Sequence, residues 1–211
     1  MAPLLLVCVL ALAVLYWFPG RRWLATWGAT PADLALDMAG DRLISDPAYQ
    51  TTLAITIAAD PMDVWAWLVQ IGYRRGGLYS YDWLDRLFGY LDRPSATTLL
   101  PEFQRLQVGD QIPIGRGKGF PVAVVQPGRA LVLSGTADGV TWVWQFGLFP
   151  LGGGRTRLIS RTAGQVPRGF AAWCVVRVLE PAAFLMTRRM LIGLKQRAEG
   201  RAVYPPIGAA A

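Results

Sequence analysis

The sequence predicts an α+β fold in which an antiparallel sheet wraps a long C-terminal helix, with one transmembrane helix at the N-terminus. Three observations predict it. An alternating strand and two short helical stretches come first, then a close succession of β-type runs broken by glycine turns, then one long helical pattern to the end. Ahead of them all stands an apolar run, Ala2 to Phe18, without a charged residue.

Composition limits the chemistry before any element is placed. A chain of 211 residues builds one domain with a full core and an additional element. Its 53% hydrophobic content, 17% charged content and mean hydropathy of +0.32 are high for a protein without a membrane segment. The net charge of +7 comes almost wholly from arginine, scattered or in pairs. This pattern excludes a dense nucleic-acid-binding run and suits an anionic membrane surface better. There is no histidine, which removes His triads, His general bases and His metal sites. Cys8 and Cys174 lie far apart in apolar surroundings and support neither a disulfide framework nor a metal centre. No cofactor is expected.

Taken in order, Ala2–Phe18 spans roughly 25 Å as a helix, slightly under a ~30 Å hydrocarbon core. Tyr16, Trp17 and Trp23 supply an aromatic belt, and Pro19-Gly20 ends the helix. Nothing basic precedes the run, whereas Arg21-Arg22 follows it. A retained anchor is therefore expected over a cleaved signal peptide, single-pass in the inner membrane with the domain facing the cytoplasm. Thr30-Pro31-Ala32-Asp33 is a helix start, with Gly40 expected to end that helix. From Thr51 to Ala58, Leu53, Ile55 and Ile57 alternate with Thr52, Ala54 and Thr56, which predicts a half-buried strand. Asp60-Pro61-Met62-Asp63 opens a helix bearing Val64, Trp65, Trp67, Leu68 and Ile71, closed by Gly72.

The segment from Arg74 to Asp85 concentrates glycine, aromatic and charged residues between two helices. It is expected at the mouth of whatever the sheet encloses, with a positive φ at Gly76 or Gly77. Ser80 is expected to cap the second short helix, which carries Trp83, Leu84, Leu87 and Phe88. Strands follow at about 111–114, 120–125, 130–134, 140–149 and 156–162, joined by glycine turns as a meander. The glycines at 115–119 read as a hairpin tip, since no capped helix follows them as a phosphate loop requires. The last helix, about Phe170 to Glu199, is expected to kink or restart at Pro181.

These phrases taken together resemble a known family: Ala54-Ile55-Thr56-Ile57 into Asp60-Pro61, Trp67 to Gly72, Gly76 to Leu84, Val108-Gly109-Asp110, Thr156-Arg157-Leu158 and Met190 to Glu199. The chain resembles the SRPBCC superfamily, START-like and polyketide-cyclase-like, in its uncharacterised bacterial branch, over about Trp27 to Glu199. The resemblance implies the helix-grip fold, a curved antiparallel sheet gripping the last helix around an apolar cavity. It implies no particular reaction, because such folds host lipid carriers, cyclases and chaperone activators alike. The organisation expected is an anchor over 1–23, a connecting segment with a short helix over 24–48, the helix-grip domain over 49–200 and a tail over 201–211.

Candidate ligand-binding residues are Arg75, Tyr79, Tyr81, Trp83, Trp142, Trp144, Arg161, Phe184 and Met190. Trp142, Trp144 and Phe146 share one strand face and either line a cavity or fill the core. Tyr79, Tyr81 and Trp83 either present polar edges to a ligand or pack the helix start. Arg75 and Arg161 either meet an acidic head group or pair with protein carboxylates. Asp82 and Asp85, three apart, read as solvent-facing carboxylates rather than an acid–base pair. No catalytic residue is assigned. The expected function is binding of a hydrophobic small molecule or lipid at a membrane. The alternatives are a histidine-free cyclase or aromatase, and a tethered interaction module with a filled core.

Overall fold

The structure is a computed structural model describing residues 16–117, 119–137, 139–166 and 169–200. The first fifteen residues, most of the expected anchor, and the expected tail lie outside the described residues. Among the described residues, no helix is long and apolar enough to cross a membrane.

Among the described residues there are five α-helices and six strands: α1 (Arg21–Thr26), α2 (Pro31–Ala35), α3 (Pro61–Val69), α4 (Asp82–Leu87) and α5 (Phe170–Ala198), with β1 (Tyr49–Ile57), β2 (Gln111–Ile112), β3 (Phe120–Gln126), β4 (Ala130–Ala137), β5 (Val140–Pro150) and β6 (Thr156–Gln165). The strands make one antiparallel sheet in the order β1-β6-β5-β4-β3-β2. Sheet and final helix thus have a helix-grip-like arrangement. The expected strands are all present, most of them somewhat longer than the sequence implied.

Alternation settles the two faces of the sheet. Leu53 and Ile57 of β1, Leu131 and Leu133 of β4, Phe146 and Leu148 of β5 and Leu158 of β6 turn inward. They meet Val64, Leu68 and Val69 of α3 and Met190, Leu191 and Leu194 of α5 in the main core. The outer face is covered by the segment between α1 and β1. There Met38 packs on Ala54 and Ile159, and Ile44 on Val132, Val143 and Ala163.

Three helices depart from the sequence reading. The start at Thr30 holds: its side chain accepts from the Asp33 amide while Asp33 accepts from the Thr30 amide. That helix ends at Ala35 rather than Gly40, because the following backbone turns extended to lie across the sheet. Helix α4 begins at Asp82 with Tyr81 in the capping position, and Ser80 spends its hydroxyl on the Asp85 carboxylate instead. Helix α5 runs unbroken through Pro181. Proline lacks the N–H that would bond the carbonyl four residues back, that of Arg177. The Tyr16 hydroxyl donates to that carbonyl at 3.4 Å, so the freed acceptor is satisfied from outside the helix.

Candidate functional site

A hollow of about 470 Å³ lies between the first half of α5, helix α1 and the ends of β1 and β6. Its floor is Tyr49, Thr51 and Leu53 of β1 with Thr162 of β6, and its roof is Val175, Leu179, Ala183 and Phe184 of α5. Leu24 and Ala25 of α1 close one side. The sheet alone cannot fill this concavity. Over β1 and β6 here, the first half of α5 presents Val175, Leu179 and Ala183, with Phe184 as the one aromatic of the roof. Burial raises the Tyr49 phenol above its ordinary value.

Charge enters the cavity at one place. The Arg21 Nε donates to Glu180 Oε2 at 2.9 Å, and Arg177 Nη1 approaches the same oxygen at 3.5 Å. Two guanidinium groups and one carboxylate therefore line a space whose remaining wall is mostly apolar, with Tyr49, Gln50, Thr51, Thr162 and Thr187 as its uncharged polar side chains. Among the described residues, no group of three His, Cys, Asp or Glu side chains is placed to hold a metal ion.

Of the nine candidate residues, only Phe184 lines this cavity. Met190 sits one to two turns further along α5, buried in the main core. The segment from Arg74 to Asp85 is not at the mouth. It packs against α5 between Arg189 and Arg197, beyond Thr187, the last residue of that helix to line the cavity. Gly77 does take a positive φ, +83°. Tyr79 is buried, its hydroxyl accepting from Gln70 Nε2 at 2.8 Å and its ring lying under the Arg197 guanidinium at 4.2 Å. Burial pushes the Tyr79 phenol up to about 12, so it stays protonated.

Arg75 donates to the carbonyls of Ile71 at 3.0 Å and Val69 at 2.7 Å, closing the C-terminal end of α3, and its guanidinium stacks on Phe103. The Tyr81 ring lies 5.9 Å from the Arg189 guanidinium. Trp83 is 62% exposed, on the outside of α4. Trp142 and Trp144 do point inward, and Trp144 stands across from Thr162 in the β5–β6 register, but neither lines the cavity. Trp142 stacks on Phe120 at 4.0 Å, and Trp144 donates to Ser160 Oγ at 3.1 Å. Phe120 also edges a second, more open hollow of about 370 Å³ between Phe88–Tyr90 and Ile114–Gly117.

Arg161 faces away from both hollows. On β6 its neighbour Thr162 points into the cavity, so Arg161 points to the outer face. There it is 3% exposed, paired with Asp41 at 2.5 Å and donating to Thr52 Oγ1 and to the carbonyls of Asp33, Leu34 and Leu36. It pins the covering segment to the sheet. Sequence reading passed over Tyr49, Leu24 and Thr162, and paired none of the Arg21, Arg177 and Glu180 charges. The only signal for the roof was the very apolar run from Phe170 to Leu179.

Asp85 overturns the solvent-facing expectation. It is wholly buried beneath α4, accepts from Ser80 Oγ at 2.5 Å, and its other oxygen has no partner. Burial pushes its carboxyl up to about 6; the Ser80 bond works against the rise and the Asp82 charge adds to it. An acid whose folded pKa exceeds its unfolded value holds its proton longer when folded. Stability from this group is therefore present at low pH and lost as pH rises from about 4 through about 6. Asp85→Asn should raise the urea midpoint near neutral pH by roughly 1–3 kcal/mol in stability and flatten the pH dependence across that window. A midpoint lowered equally at acid and neutral pH would contradict it. Asp82, by contrast, is half-buried and takes the Ser95 amide at 2.9 Å and hydroxyl at 2.6 Å.

No protein-family model matches the chain, and no curated protein does. Several solved structures are similar to it at low identity. A protein from Mesorhizobium loti shares 17% identity over 74% of this chain and 100% of its own, with a TM-score of 0.45. A protein from Arthrobacter aurescens, solved by solution NMR, shares 14% over 85% of this chain and 99% of its own, at 0.46. One from Chromobacterium violaceum shares 16% over 71% and 97%, at 0.44.

Proposed function

We propose that the chain is a membrane-anchored member of the SRPBCC superfamily that binds a hydrophobic small molecule or lipid between its sheet and α5. The observation that carries this reading is the apolar cavity of about 470 Å³ under the first half of α5. Its size is that of small-molecule sites, and apolar walls with a few polar groups are what such sites have. The Arg21, Arg177 and Glu180 cluster at its edge supports an amphiphile whose polar end meets a guanidinium group. The helix-grip-like arrangement of sheet and helix supports the superfamily reading, and the apolar 2–18 run followed by Arg21-Arg22 supports an anchor with the domain in the cytoplasm.

The test is uptake of a fluorescent long-chain fatty acid by the full chain purified in detergent. Thr162 stands half-buried on the cavity floor, and Thr162→Trp puts an indole into the space at a strand position that tolerates aromatics. Affinity should fall about tenfold, close to 1.4 kcal/mol, while the melting temperature moves by less than about 3 °C. Uptake unchanged by the indole would remove this cavity as the binding site.

A further inference from the structure

The first half of α5 is turned inside out. Between Cys174 and Leu185 its exposed positions are Val175, Val178, Leu179, Ala182, Ala183 and Leu185, and every one is apolar. The two charged residues of the same stretch, Arg177 and Glu180, face inward instead, 18% and 10% exposed and joined to Arg21. A helix lying between a core and water shows the opposite pattern. Val178 is 76% exposed, and positions 175, 178, 179, 182 and 185 follow the spacing of a single helix face. Beyond Thr187 the ordinary pattern returns, with Met190, Leu191 and Leu194 buried.

What lies beside this face identifies its partner. Trp23 is 55% exposed and rests on Phe184 at 5.1 Å; its chain neighbour Arg22 and, six residues earlier, Trp17 are exposed too. Tryptophan with arginine at the edge of an apolar surface is the composition of a bilayer interface. The uncharged residues 2–15 join the fold at Tyr16, whose hydroxyl is bonded to α5 itself at the Arg177 carbonyl. Val175, Leu179 and Ala183 belong both to the exposed face and to the cavity wall, so the cavity opens where the face begins. We propose that residues 174–185 of α5 lie in the interfacial layer of an anionic bilayer, turning the cavity toward the acyl region so that an acyl chain passes between membrane and cavity without crossing water. The direction of ligand entry rests on the cavity reading above; the docking surface does not.

The experiment reconstitutes the full chain, with Cys8→Ser and Cys174→Ser, into vesicles of phosphatidylcholine and phosphatidylglycerol. An environment-sensitive fluorophore is attached at Val178→Cys, at Leu185→Cys, or at Leu43→Cys on the opposite side of the sheet. Nitroxide carried on lipid tails should quench the first two several-fold more than the third, with aqueous iodide showing the reverse order. Labels at 178 and 185 that behave like the one at 43 would overturn the proposal. So would labels shielded from both quenchers, since the face would then be covered by a second copy or by the chain's own first residues. Uptake of the fluorescent fatty acid is measured on the same vesicles. Lipid quenching without uptake retains the docking surface and removes the cavity reading; uptake without lipid quenching does the opposite.

Discussion

Replacing Arg161 by Leu should lower the unfolding free energy by about 3–5 kcal/mol, the cost of removing one partner from a buried ion pair. The guanidinium makes the most bonds between the outer face of the sheet and the segment lying on it, beside Arg157 on Asp33 and Gln145 on Asp41. It reaches Asp41, Thr52 and the carbonyls of Asp33, Leu34 and Leu36, and leucine leaves all of them facing a dry interface. Asp41 keeps bonds from the Met38 amide and the Gln145 amide group, so the segment loosens without losing every attachment. Arg161→Lys retains the charge but not the planar fork, and should fall between wild type and the leucine variant. Urea unfolding followed by tryptophan fluorescence measures both. Fatty-acid uptake by the folded fraction should not change, because Arg161 and the cavity lie on opposite faces of β6. A lysine variant with wild-type stability and weakened uptake would return Arg161 to the binding site.

That residue also shows where sequence reading stops. The sheet was legible because its information is local: Leu53, Ile55 and Ile57 alternate with the smaller Thr52, Ala54 and Thr56, and glycines mark the turns. The partners of Arg161 stand about 110 to 130 positions away, and nothing at Asp33 or Asp41 marks them as belonging to it. Asp82 and Asp85 look alike at the start of a short helix, yet one accepts from Ser95 while the other is sealed under α4. Only the packing of the chain around residues 90–95 separates them. The cavity lies between sheet and last helix as expected, but its lining was misread for a related reason. Aromatic residues mark a core as readily as a site, and the segment rich in them closes the packed end of the domain. The hollow lies where α5 carries Ala183, Val175 and Leu179, side chains too small to advertise a site and too short to fill one.

The packed end supplies the second large effect. Gly193 sits inside α5 where that helix rests directly on the backbone of Tyr79. A Cβ built there falls well inside van der Waals contact of the Tyr79 carbonyl oxygen and 2.8 Å from the Tyr79 Cβ. The loop cannot yield. Tyr79 holds a left-handed backbone, φ 57°, its ring is fixed between Trp67 and the Arg197 guanidinium, and its hydroxyl is bonded to buried Gln70. The helix must therefore lift, opening the packing of Leu191 and Leu194 against α3. Intrinsic propensity works the other way, since alanine in a helix interior is favoured over glycine by about 1 kcal/mol. The sign of the Gly193→Ala effect thus decides between the two terms. Overpacking should win, with a net loss of about 2–3 kcal/mol, and Gly193→Val should lose more. Urea unfolding of the two variants against wild type gives the answer. A stabilised Gly193→Ala would mean that α5 does not touch the Tyr79 backbone, and that the 74–85 segment is held to the domain by its side chains alone.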